Sequence, residues 1–280
     1  MSAEALHKIT LTNPDSEAQL YPYGSHVSSW KPKGQKDVLF LSKSSLFTPG
    51  KAIRGGVPII FPWFGPRQGH PESPAHGFAR TTMWNVAGCD NRPNGSCAMS
   101  LELTSSDATR AIWPNDFLLR FTIAAEKKLT LSLSVTNTGR APFTFEEAMH
   151  TYLAIGDIRQ TTITGLAGVQ YIDKVDKFTR KTPGPEPIVI SGETDRVYLN
   201  TRSTCVVDDG AWKRKISVAK ENSNATVVWN PWIEKAKAFA DFGDDEWPEM
   251  VCIETCNVGE NSVTLEPGKS HVMTAIVSLG

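Results

Sequence analysis

Two residues suited to proton transfer sit inside β-prone apolar stretches of this 280-residue chain, one a histidine and one a glutamate. His150 lies in Phe143-Thr-Phe-Glu-Glu-Ala-Met-His-Thr-Tyr-Leu-Ala-Ile. If Phe143 and Phe145 face a core, strict alternation puts Met149 on their side and His150 on the other, with Glu146. An imidazole titrates near neutrality and can serve there as a general acid. Glu254 lies in Met250-Val-Cys-Ile-Glu-Thr-Cys-Asn-Val. Desolvation among such neighbours raises a carboxylate's pKa toward a value useful for a base. Burial without partners is expensive, so such a group is usually paired or functional. Each residue also has an ordinary reading, His150 as an edge or surface histidine and Glu254 as a carboxylate on a solvated face.

Two arginines suggest what such a pair could act on. Arg54 precedes Gly55-Gly56, and Arg80 closes His76-Gly-Phe-Ala-Arg. A guanidinium matches the oxygens of a phosphate as a planar fork, and adjacent glycines let backbone approach a ligand closely. Taken singly, both arginines read equally as solvated loop residues, and His76 as loop filler. The chain has no Walker A loop, no G-x-G-x-x-G after a strand, no H-E-x-x-H and no G-x-S-x-G elbow. Nucleotide, dinucleotide and zincin chemistry is therefore poorly supported.

The elements that must position these residues are strands. Short runs of period-two alternation bounded by turn residues recur throughout: Ile9–Thr12, Val38–Leu41, Ala98–Leu103, Leu129–Val135, Thr226–Trp229 and His271–Val277. Helical periodicity is confined to Asp107–Trp113 and Trp232–Phe239. The pattern predicts an all-β chain, folded as one domain over residues 1–280. Ile53–Arg80 is rich in Gly and Pro yet carries Phe61, Trp63, Phe64 and Phe78, the composition of a functional loop. Lys181–Pro187 reads as a long hairpin loop rather than an interdomain linker, and Asp241–Glu249 as an acidic, solvated loop.

With 29 basic and 30 acidic residues the formal net charge is −1, so no broad footprint for nucleic acid or anionic membrane is expected. An anionic ligand must be met by a few local cations. The N-terminal residues lack a basic region followed by an apolar one, and no apolar run approaches a membrane span. Five scattered cysteines, Cys89, Cys97, Cys205, Cys252 and Cys256, read as reduced thiols of a cytoplasmic protein. Cys252-x-x-x-Cys256 has no second pair at zinc-site spacing, so no metal is expected.

Taken in order, five stretches give the chain a likeness to a known family. They are Ile53-Arg-Gly-Gly-Val-Pro-Ile-Ile-Phe-Pro-Trp-Phe-Gly-Pro, His76-Gly-Phe-Ala-Arg, Met149-His-Thr-Tyr-Leu-Ala-Ile-Gly-Asp-Ile, Trp229-Asn-Pro-Trp-Ile-Glu-Lys-Ala-Lys with Asp241-Phe-Gly-Asp-Asp, and Val251-Cys-Ile-Glu. From about residue 20 onward the chain resembles the glucose-6-phosphate 1-epimerase branch of the aldose 1-epimerase (galactose mutarotase-like) superfamily. That resemblance implies a large antiparallel β-sandwich with a sugar cleft on one sheet. It implies His150 and Glu254 as the catalytic pair and Arg54 and Arg80 as holders of the sugar phosphate. His76 would lie beside the pocket, and Asp195 would contact sugar hydroxyls. It further implies a mutarotase acting on a hexose 6-phosphate, a reaction that moves no hydride and so calls for no cofactor, and a monomer is expected. A non-catalytic sugar-binding sandwich, an epimerase of unphosphorylated sugars, and a hydrolase or lyase stand as alternatives. The last would need a second carboxylate that the sequence does not nominate. Two positions depart from the family pattern: Ala75 where Gln is frequent, and Thr255-Cys256 where Pro-Gly is common.

Overall fold

The computed structural model describes residues 6–91 and 97–280. Two large antiparallel sheets dominate, of eight and nine strands, with a three-stranded and a two-stranded sheet beside them. The α-helices among the described residues are two single-turn pieces, Asp107–Ile112 and Trp232–Lys237. The first has a capping box in which the Ser106 and Thr109 side chains satisfy each other's backbone N–H groups.

The nine-stranded sheet supplies one wall of the core. Along Lys128–Asn137, Leu129, Leu131, Leu133 and Val135 are buried while the intervening residues are partly exposed. That alternation is what a sheet with one solvated face requires. The eight-stranded sheet differs. Its central strands, Ala225–Asn230 and Met250–Asn257, are buried at every position. One face packs against the opposing sheet, and the other is covered by loops. A strand covered on both faces offers no solvated side to a charge, which removes the ordinary reading of Glu254.

In register, Met250–Asn257 pairs antiparallel with both Glu147–Met149 and Tyr152–Ala154, matching Met149 with Thr255 and Tyr152 with Cys252. Continuing that register across the gap sets His150 opposite Glu254. The ladder runs straight through Thr255 and Cys256, so the departure from Pro-Gly leaves the strand intact.

Three expectations need correction. Val38, Leu39 and Phe40 are buried as their apolarity demands, but Val38–Leu41 forms isolated bridges through Leu39 and Leu41 rather than a strand. Lys181–Pro187 is not a hairpin loop. Thr179–Lys181 lies at an edge of the eight-stranded sheet and Ile188–Val189 at an edge of the nine-stranded one, so this proline-rich stretch crosses between sheets. Cys205, Cys252 and Cys256 are buried free thiols as expected, whereas Cys89 is disulfide-bonded. It stands on Asn85–Asn91, which folds back on its neighbour as an antiparallel pair, a proximity that spacing along the chain does not reveal. The Cys97 side chain lies outside the described residues.

A second histidine–glutamate pair ties the sheets together away from His150. His271 Nε2 lies 3.0 Å from Glu147 Oε1, which also accepts from Asn257 Nδ2 at 2.8 Å. Burial alone would lower the His271 pKa, but the bonded, charged Glu147 outweighs it and raises it above the usual imidazole value. A raised folded-state value contributes stability that is full below the unfolded value near 6.5 and is lost as pH rises through the folded one. His271→Gln should therefore lose about 1 kcal/mol relative to the native chain at pH 5.5, and less at pH 9. Urea midpoints at the two pH values measure this, and a loss independent of pH would refute it.

Candidate active site

The polypeptide enters the site through a turn that only glycine permits. Gly55 and Gly56 have φ of +114° and +58°, and a Cβ on Gly56 would lie 2.2 Å from the Val27 carbonyl oxygen. That carbonyl already accepts from Val57 N, so neither backbone can yield. Gly56→Ala should cost at least about 2 kcal/mol. A thermal midpoint within a degree of the native chain would contradict this.

Arg54 emerges from this turn already gripped. Its Nε and Nη2 donate to Asp241 Oδ1 at 3.1 and 3.0 Å, and its Nη1 donates to the Tyr152 hydroxyl at 3.3 Å. The Phe239 ring lies under the guanidinium at 4.5 Å. Arg80 is held differently. Its Nη2 donates to the Ala75 carbonyl at 2.9 Å, and among the described residues no carboxylate pairs with it. Burial pulls its pKa down to about 10, which still leaves it charged. A guanidinium taken from water without a counter-ion is a group prepared to receive an anion. Ala75, lacking the amide frequent in the family, thus still serves through its backbone.

The two proton-transfer candidates meet as the register requires. His150 Nε2 lies 3.4 Å from Glu254 Oε1, with the histidine side chain 10% and the glutamate 1% exposed. His150 Nδ1 and Glu254 Oε2 are buried and have no hydrogen-bond partner among the described residues. Two unsatisfied polar atoms on facing residues are costly unless a ligand completes them. Burial first, and then Arg80 and Arg54, hold the His150 imidazole well below its ordinary pKa. Burial and then the Asp195 carboxylate push Glu254 well above the usual carboxylate range.

Aromatic rings fix the histidine. Tyr152 stacks on it at 4.8 Å with 13° between planes, and Trp229 meets it edge-on at 5.8 Å. His76 lies 6.0 Å away, ring to ring, and its Nδ1 accepts from Gly65 N at 3.2 Å. Burial and then Arg80 keep the His76 pKa well below normal, so its ring is neutral with the proton on Nε2. Asp195, opposite Trp229 in the ladder, is paired with Lys174 Nζ at 2.8 Å.

All six residues nominated from sequence, Arg54, His76, Arg80, His150, Asp195 and Glu254, line one cavity of about 310 Å³. Sequence reasoning missed Lys174 and Lys235, which also line it, and the Tyr152 and Asp241 supports of Arg54. The loop Asp241–Glu249, expected to be solvated, is so only in part. Phe242 and Glu246 are buried, and Glu246 accepts from Ser42 Oγ at 2.6 Å and Lys43 N at 3.0 Å. Two of its acids thus serve internal partners, Asp241 holding Arg54 and Glu246 holding Ser42 and Lys43, while Asp244, Asp245 and Glu249 stay exposed. No group of three or more His, Cys, Asp or Glu suited to a metal ion occurs among the described residues. Nor is any described helix long and apolar enough to cross a membrane.

Comparison with known proteins agrees with this picture. The family profile described as aldose 1-epimerase matches residues 7–278. A protein of Cenchrus ciliaris named as a candidate glucose-6-phosphate 1-epimerase is 38% identical over 263 residues, covering 90% of this chain and 78% of that one. Its namesake from Escherichia coli K12 is 34% identical over 275 residues, 98% of this chain and 90% of the relative. The crystal structure of a candidate mutarotase, YeaD, from Salmonella typhimurium superposes with a TM-score of 0.91 at 33% identity, covering 99% and 91% of the two chains.

Proposed function

The chain belongs to the aldose 1-epimerase family, and from that premise we propose that its cavity interconverts the α and β anomers of hexose 6-phosphates, glucose 6-phosphate foremost. The observation that carries this reading is the buried His150–Glu254 pair, 3.4 Å apart in the same cavity as an unpaired guanidinium.

Anomer exchange opens a hemiacetal ring and closes it on the other face. Glu254 takes the proton from the C1 hydroxyl while His150 gives one to the ring oxygen. The carbonyl turns about C1–C2, and ring closure reverses the two roles. Glu254 lies on the buried strand Met250–Asn257 and His150 in the short gap between the two strands that pair with it, so their separation is fixed before substrate arrives. No electrons leave the sugar, and no cofactor is called for. Asp195, neutralised by Lys174, is placed to accept from sugar hydroxyls. Arg80 takes the phosphate directly, and Arg54 does so with the N–H groups that Asp241 and Tyr152 leave free. The names of the Cenchrus ciliaris and Escherichia coli relatives support the phosphorylated substrate.

The six proposed site residues all come from one chain, so the reaction needs no second copy, and we take the enzyme as a monomer acting as a single galactose mutarotase-like unit. The even charge balance supports neither a nucleic-acid nor an anionic-membrane partner, and the free thiols of Cys205, Cys252 and Cys256 favour a cytoplasmic enzyme, with the Cys89 disulfide weighing against it. A dehydrogenase specific for β-glucose 6-phosphate consumes a fresh anomeric mixture in two phases. Catalytic amounts of this protein should merge them into one, and an unchanged slow phase would exclude the proposed reaction.

A further inference from the structure

We infer that the phosphate of the substrate is an activator as well as a handle: a dianion seated on Arg54 and Arg80 switches His150 into its proton-donating form. This rests on the reading above, because it takes the arginines as the phosphate site and the His150–Glu254 pair as the reacting groups.

The geometry places the two members of the pair against different neighbours, the arginines on one side and an ion pair on the other. His150 faces the arginine end of the cavity. Its ring lies flat against Tyr152, whose hydroxyl accepts from Arg54, so guanidinium, phenol and imidazole form one stacked and bonded column. Tyr152 is buried and further wedged by Phe40 and Trp229, which holds the column in place. Glu254 faces the other end, where Asp195 and Lys174 form their ion pair. His76 is neutral, and Lys235 is drawn off to Glu193 at 3.3 Å. Cys252, beneath the pair on the Glu254 strand, is kept protonated by burial.

In the free protein this arrangement opposes the form the chemistry needs. After burial itself, the positive charges of Arg80 and Arg54, with Lys174 behind them, hold His150 unprotonated. For Glu254 the leading charges are Asp195 and Lys174, with Arg80 behind them. A dianion on the arginines thus cancels the field mainly at the histidine. The proton returns to the imidazole, and Glu254, steadied by Lys174, is left to act as base. Removing a like charge at this range shifts a pKa by about one unit or more, hence about tenfold in the protonated fraction. On this account a free hexose reacts slowly because it leaves the acid uncharged, beyond any weakness of binding.

The test divides the substrate into parts. Exchange of free glucose anomers is followed with and without inorganic phosphate, with Glu254→Gln protein as the blank for catalysis by the salt itself. The native protein should turn over glucose about tenfold faster in saturating phosphate, mostly through kcat, with the gain shrinking as pH falls. Arg80→Gln should lose the response, and Arg80→Lys should keep part of it. Phosphate that competes with glucose 6-phosphate yet leaves glucose turnover unchanged, or slows it, would overturn the inference and leave the phosphate site standing. Phosphate that does neither, with both sugars turned over equally, would sink the phosphate reading and the inference together.

Discussion

Replacing Glu254 by glutamine is expected to lower kcat for anomer exchange by about 10²–10⁴-fold, and His150→Asn by a similar factor. Each supplies a proton-transfer role for which the cavity has no evident substitute. Asp195 is held by Lys174, and His76 has its Nδ1 bonded to backbone. The stability consequence runs the other way. Glu254 has its pKa raised by burial, so its carboxylate opposes folding wherever the unfolded chain would be ionised. Stability tied to this group is full below about pH 4 and declines as pH rises. Glu254→Gln should therefore melt no lower than the native chain at pH 7, with any advantage vanishing near pH 4. His150, whose pKa is lowered, has the opposite sign: its contribution is lost as pH falls below the unfolded value near 6.5. Near-native turnover in either folded variant would remove that residue from the mechanism.

The arginines carry the second large effect. Arg80→Ala should reduce kcat/KM for glucose 6-phosphate by about 10–100-fold relative to glucose, corresponding to about 1.5–3 kcal/mol for a hydrogen bond to a charged group. Arg80→Lys should recover only part, since a point charge cannot reproduce the fork. Arg54→Ala carries a further penalty. It leaves the Asp241 carboxylate, its partner at 3.0 Å, unpaired beside the proposed phosphate site. Adding Asp241→Asn to Arg54→Ala should restore part of the loss, and the double-mutant cycle measures the coupling. Strict additivity would show that Asp241 does not act through Arg54.

What was legible in the sequence was chemistry by residue type, and strands by alternation. His150 and Glu254 stood out because each interrupts an apolar β-prone run. That they face each other was not legible, because it depends on which strands pair and in what register. Lys174 and Tyr152 gave no local signal: one is a lysine beside a turn, the other an aromatic in a strand. Asp241 was misjudged for a related reason. An acidic stretch normally marks a solvated loop, and only tertiary contact shows Arg54 and Ser42 engaging two of its carboxylates, Asp241 and Glu246. The crossing at Lys181–Pro187 was hidden because both flanking strands are short edge strands, alike in composition whichever sheet they join.

The central claim is tested most directly by exchange NMR on an equilibrated anomeric mixture of glucose 6-phosphate, with glucose measured in parallel. The account predicts α–β exchange that rises linearly with protein concentration, at least about tenfold more efficient for the phosphorylated sugar. Exchange of glucose 6-phosphate no faster than in buffer, from protein shown to be folded, would contradict it.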